Sequence, residues 1–67
     1  MENKVIRYDI YEYPTIPTEN GKYYGSTPIL EQAKGVVRKG KEQGKDYFIK
    51  AIYDDGDIVY INQYECI

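Results

Sequence analysis

Few residues in this chain could do chemistry. Cys66 is the single cysteine, Ser26 the single serine, and histidine and tryptophan are absent. Without an imidazole base, Ser-His-Asp and Cys-His catalysis are excluded. A zinc site needs about four Cys, His or carboxylate ligands, and one thiol with no histidine does not supply an ordinary one. Carboxylates, lysines and tyrosines could still move protons, but no complete catalytic or cofactor motif gathers them. The expectation is a protein that is not an enzyme and takes no metal or organic cofactor.

Two stretches imitate ligand sites. Asp54-Asp55-Gly56-Asp57 looks like the start of a calcium loop. An EF-hand needs alternating ligands over about twelve residues, a closing glutamate and two flanking helices. Asp and Gly in this order are also what a tight turn between strands prefers, and the turn is the expected reading. Gly40-Lys41-Glu42-Gln43-Gly44-Lys45-Asp46 places three residues between its glycines and ends in Asp. A phosphate-binding loop needs four residues there, then Lys and Ser or Thr, before a helix rather than after one. It reads as a helix end.

The elements that must carry these residues follow from pattern. Lys4–Tyr13 is rich in β-branched and aromatic residues, and its alternation puts Ile6, Tyr8 and Ile10 on one face, predicting a strand. Pro14 and Pro17 end its pairing. Thr18-Glu19-Asn20-Gly21-Lys22 reads as a turn, and Tyr23-Tyr24 as a short return strand on an outer edge. Thr27-Pro28 reads as a helix start, with Thr27 as cap and proline in the first turn. Ile29, Leu30, Ala33, Val36, Val37 and Gly40 then fall in one stripe at helical spacing. Gly40 on that stripe implies a close approach to the sheet, Gly35 on the polar side has no such purpose, and Gly44 is placed to end the helix in the left-handed conformation.

The remainder predicts a hairpin, Asp46–Tyr53 and Asp57–Glu65. A type I turn with Gly56 left-handed would close it across Tyr53 and Asp57. That register sets Ile52 opposite Ile58, Ala51 opposite Val59 and Ile49 opposite Ile61, with one aliphatic face for the helix to cover. A two-residue Asp55-Gly56 turn would mix aliphatic and polar side chains on both faces.

A length of 67 residues allows one small domain, 1–67. The expected class is α+β: a β-α-β-β domain with a three-stranded, mainly antiparallel sheet and one helix on one face. The first strand could lie antiparallel beside the last or parallel beside the second. The expected core is Ile6, Ile10, Ile29, Leu30, Ala33, Val36, Val37, Ile49, Ala51, Val59 and Ile61. No apolar run approaches the length of a membrane span, and one unpaired cysteine in so small a chain points to a reducing cytoplasm.

Charge and aromatic content supply two binding hypotheses. The chain carries 9 Lys+Arg against 11 Asp+Glu, net −2. Residues 31–50 nevertheless hold six bases against three acids, so Lys34, Arg38, Lys39 and Lys41 could contact phosphates of a nucleic acid. The overall acidity, with a pI near 5.0, makes this the second reading. Nine tyrosines are the stronger signal. One helix covers one face of a small sheet, leaving Tyr11, Tyr13, Phe48, Ile52, Ile58 and Tyr60 on the other. Such an apolar–aromatic patch suits a protein partner, either a second copy in a homodimer or a different protein. The profile is that of an adaptor, a subunit, or a small inhibitor or regulator of the kind phages and mobile elements carry. No motif is specific enough to assign a family.

Overall fold

The tightest local code in the chain lies at the acidic turn. Gly56 takes φ +92°, its N–H donates to Tyr53 O at 3.0 Å, and the Tyr53 N–H donates to Asp57 O at 2.9 Å. Asp55 Oδ1 accepts the Asp57 N–H at 3.0 Å. The carboxylates therefore shape a turn, as their spacing predicts. The turn sets the register of β3 (Tyr47–Tyr53) and β4 (Ile58–Ile61): Ile52 opposite Ile58, Ala51 opposite Val59 and Ile49 opposite Ile61.

The computed structural model describes residues 4–13 and 21–66. Pro14, Pro17 and the expected turn at 18–20 lie outside them. The described elements are β1 (Val5–Glu12), β2 (Lys22–Thr27), the helix α1 (Leu30–Glu42), β3, β4 and a closing 3-10 turn η1 (Gln63–Cys66). None of the described helices is long and apolar enough to cross a membrane. The class is α+β, with one helix and an antiparallel sheet, but the sheet has four strands in the order β2-β1-β3-β4.

The fourth strand corrects two expectations. The return strand expected at Tyr23-Tyr24 is found on an outer edge, extended to the six-residue β2 and antiparallel to β1, so the expected three strands become four. Because β2 reverses the chain before the helix, β3 returns antiparallel to β1 and pairs with it directly. The first strand is thus neither beside the last strand nor parallel to its neighbour. It sits centrally, bonded on both sides.

Two irregularities interrupt the alternation of β1 and β2, and one of them accounts for Ile6. Between Val5 and Arg7 the β1–β3 register shifts, so Ile6 is an extra residue and stands exposed instead of joining Tyr8 and Ile10. Between Ile10 and Tyr11 the β1–β2 register shifts likewise, with Tyr24 the extra residue. The core proper is Ile10, Ala33, Val37, Tyr47, Ile49 and Cys66, with Tyr8, Val36 and Ile61 packed against it. Ala51 and Ile52 are also buried, whereas Ile29 and Val59 are exposed and Leu30 is half-buried. The helix packs on β3, β1, β2 and η1. Val59, on the outermost strand, lies to the side of it.

The helix begins at Leu30, with Ile29 in the cap position and extended, so Thr27 and Pro28 stand before it. Thr27 still closes the entry: its Oγ1 accepts the Ile29 N–H at 3.2 Å and donates to Gln32 Oε1 at 2.8 Å. The exit is as the spacing predicts. Gly44 takes φ +77°, Lys45 N–H donates to Gly40 O at 2.8 Å and Gly44 N–H to Lys41 O at 3.1 Å, a paired C-terminal cap. Gly21, in contrast, has no positive φ. It is small because a Cβ there would meet Glu12 O at 2.9 Å and the Phe48 ring at 3.0 Å.

β4 stops at Ile61, short of the expected Glu65, because Asn62 and Glu65 form a reciprocal cap. Asn62 Oδ1 accepts the N–H groups of Tyr64 and Glu65 at 2.9 and 3.1 Å, and Glu65 Oε2 accepts the Asn62 N–H at 3.1 Å. The tail turns into η1 and drops Cys66 into the core.

The two helical glycines make a paired prediction. The Tyr47 ring lies on Gly40, where a Cβ would collide with it, whereas nothing approaches Gly35. Gly35→Ala is expected to raise stability in urea by up to about 1 kcal/mol through helix propensity. Gly40→Ala gains the same propensity but overpacks the seat, with an expected net loss of about 1–3 kcal/mol. Equal effects at the two positions would contradict this packing.

Candidate functional site: the uncovered sheet face

With Ile10, Ile49 and Ala51 turned toward the helix, their neighbours in alternation face the opposite way. That open face is floored by Arg7, Asp9, Tyr11 and Tyr13 of the β1 segment, Tyr23 and Ser26 of β2, Phe48, Lys50 and Ile52 of β3, and Ile58 and Tyr60 of β4. Its rings form a connected chain across all four strands. Tyr23 meets Tyr11 edge-on at 5.5 Å between centroids, Tyr11 stacks on Phe48 at 5.7 Å, and Phe48 meets Tyr13 at 4.8 Å and Tyr60 at 6.2 Å. Each such pair contributes about 0.5–1.5 kcal/mol beyond buried area.

Lys50 stands in the middle of the rings. Its ammonium lies 4.1 Å from the Tyr11 centroid, 5.7 Å from Tyr60 and 6.0 Å from Phe48. In the ladder Lys50 is opposite Asp9, but Asp9 pairs with Arg7, Nε to Oδ1 at 3.0 Å. The lysine stem thus fills the space between aromatic faces and the cation is held by ring quadrupoles.

Of the six residues expected on this surface, five lie on it with surface to offer. Tyr13 is 42% exposed, Ile58 48% and Tyr60 63%; Tyr11 and Phe48 are half-buried. Ile52 is on the face but buried, between Arg7 and Ile58 in the ladder, and supports the patch without forming its surface. The expected patch leaves out Tyr23, 55% exposed, and the central Lys50, although the hairpin register already puts Lys50 on this face. Tyr23 joins the patch only with β2 in place, since β2 brings it to Tyr11.

The basic quartet is not one surface. Arg38 Nη1 donates to Cys66 O at 3.1 Å, and Lys41 Nζ lies 5.3 Å from the Tyr64 ring centroid. Both hold the tail. Lys34 shares that flank, by helical spacing, while Lys39 is on the other flank, lining a groove of about 390 Å³ with Tyr24, Val36, Gly40, Gln43 and Tyr47.

Cys66 is not a nucleophile in waiting. It is buried, its Sγ donates to Asn62 O at 3.5 Å, and burial pushes the thiol above its ordinary value of 9.0; Lys34 and Arg38 pull the other way and Glu65 adds to the rise. Tyr13 is likewise raised above 10.0, by burial first and then by Tyr64, Asp46 and Cys66. Among the described residues, no three His, Cys, Asp or Glu side chains gather to hold a metal ion. No protein-family model, curated protein or solved structure matches the chain.

The raised acids set an alkaline limit. Well below pH 9 both groups are protonated in the folded and unfolded chain alike, and their contribution is fully present. As pH climbs, the unfolded thiol ionises first, so the unfolded chain binds fewer protons and stability falls. Urea unfolding is expected to show a decline beginning near pH 9 and steepening past 10 as Tyr13 joins. Cys66→Ala should remove the earlier part of the decline. The same pH slope in both proteins would contradict a buried, raised thiol.

Proposed function

We propose that this chain is a non-enzymatic protein-interaction module that docks a partner on its uncovered sheet face. The observation that carries the reading is the ring chain Tyr23–Tyr11–Phe48–Tyr60, continuous over four strands on the face away from the helix. Tyrosine suits such a surface because a large rigid ring gives contact area at low entropic cost while its hydroxyl takes a polar partner. The helix side has its own cover in α1 and η1. The open face has none within the described residues.

The chemistry of the face argues for a different protein as its occupant. A two-fold contact centred on this face would bring Lys50 against Lys50 of a second copy, a like-charge contact that disfavours it. A partner with an apolar surface and a carboxylate opposite Lys50 would bury the rings and meet the cation. Nucleic acid remains the weaker alternative, because Arg38 and Lys41 are engaged with the tail and the chain is acidic overall.

Affinity capture on the immobilised protein, with partners identified by mass spectrometry, tests the reading. A protein retained by wild type is expected to be lost with Tyr60→Ser and with Tyr11→Ser, while circular dichroism shows both variants folded. It is also expected to persist after charge reversal at Arg38 and Lys39. Capture that survives both tyrosine variants, or a salt-sensitive nucleic-acid complex lost on charge reversal, would contradict it.

A further inference from the structure

We propose that β4 is a self-pairing edge: two copies join antiparallel through Ile58–Tyr60, about a two-fold axis passing beside Val59, into a continuous eight-stranded sheet. Among the described residues β4 is one of the sheet's two edge strands, and its first three residues are exposed, Ile58 48%, Val59 46% and Tyr60 63%. The run Ile58-Val59-Tyr60-Ile61 contains no charge and no proline, the usual devices that protect an edge.

The backbone fixes the register. Antiparallel pairs alternate between bonded and non-bonded. Counting from the bonded pair Tyr53/Asp57, the pairs Ala51/Val59 and Ile49/Ile61 are bonded, while Ile52/Ile58 and Lys50/Tyr60 are not. The N–H and C=O groups of Ile58 and Tyr60 therefore point outward. The next outward residue, Asn62, is already engaged. Its N–H donates to Glu65 Oε2 at 3.1 Å, and its carbonyl accepts the Glu65 N–H at 3.1 Å and the Cys66 thiol at 3.5 Å.

Only one two-fold register uses the open groups alone. With Val59 at the axis, Ile58 faces Tyr60 of the second copy and Tyr60 faces its Ile58. All four residues are outward-facing, giving four hydrogen bonds. An axis at Tyr60 would set Ile58 against the engaged Asn62, and an axis at Ile58 would set Tyr60 against Gly56 in the turn. The two-fold lies perpendicular to the sheet, so the aromatic faces of both copies end on the same side, with Ile58 and Tyr60 packed across the seam. Val59 meets Val59 of the second copy on the helix side.

The inference does not depend on the open face as a docking site, because Val59 lies on the opposite side of the sheet from its rings. A contact of three residues per copy is well below the standard of about 800 Å² per partner, so the dimer is weak, with dissociation in the high micromolar range or above. Sedimentation equilibrium from about 10 µM to about 2 mM, a range chosen for that affinity, tests it. The average mass of wild type should climb from the 7.8 kDa of one chain toward twice that value. Val59→Lys and Val59→Glu should each remain at one chain, and an equimolar mixture of the two should associate again, because opposite charges then meet at the axis. In wild type, amide exchange at Ile58 and Tyr60 should slow as concentration rises, a readout that needs no variant. A monomeric wild type at about 2 mM, undiminished association in Val59→Lys, no recovery in the mixture, or association abolished by Phe48→Ser would each overturn the proposal.

Discussion

The Tyr47 ring lies directly against the backbone of Gly40, and the arrangement of the molecule depends on that contact. The glycine lets the helix descend onto the first residue of β3, where Tyr47 is buried. Gly44 then ends the helix one turn later, with Lys45 bonded back to Gly40 O, so the chain enters β3 directly beneath the helix. Arg38 and Lys41, on a flank of the same helix, hold the η1 tail and bring Cys66 into the core. Among the described residues there is one α-helix, and seating it here commits one sheet face to the interior and leaves the other without a covering element.

The two faces consequently solve different problems. The covered side is mainly aliphatic, with Ala33, Val37, Ile10 and Ile49 clustered around the buried Tyr47 ring and Cys66. The open side carries side chains that tolerate water and apolar contact together: tyrosine rings in edge and stacked arrangements, and a lysine whose stem fills the space between them. Ring–ring and cation–ring contacts hold these groups in place before any partner arrives, which lowers the ordering cost of binding. Phe48 is fixed further by Gly21, whose missing Cβ leaves room for the ring. A preformed surface of this kind is what supports the proposal of recognition on this face.

How far this could be read from the sequence depended on the range of the interaction involved. The β3–β4 register, the left-handed Gly56 and Gly44, and the close approach at Gly40 all follow from residues within a few positions of one another, and each is found as expected. Of the second strand only Tyr23-Tyr24 is legible, because the full Lys22–Thr27 has little apolar alternation and is held by pairing with a strand earlier in the chain. Leaving it out of a three-stranded sheet misplaces β1, since the reversal through β2 makes β3 its antiparallel neighbour. The bulge at Ile6 defeated a face assignment that simple alternation would make. For the candidate site, residues on the hairpin fall on the expected face, while Tyr23 is left off the expected patch because its strand is not counted in the sheet. Lys34, Arg38, Lys39 and Lys41 show the complementary error: charge spacing along a helix says nothing about which cations the tail will occupy.

The most direct test is whether the two faces differ as described in the free, monomeric protein. Photochemically induced nuclear polarisation, which marks tyrosine rings that a dissolved dye can reach, reports each ring separately at low concentration. Tyr60 and Tyr23 should be strongly polarised, and Tyr47, under the helix at Gly40, should be silent. A silent Tyr60 together with a polarised Tyr47 would mean that the helix covers the other face, and would contradict the assignment of the aromatic surface as the one left open.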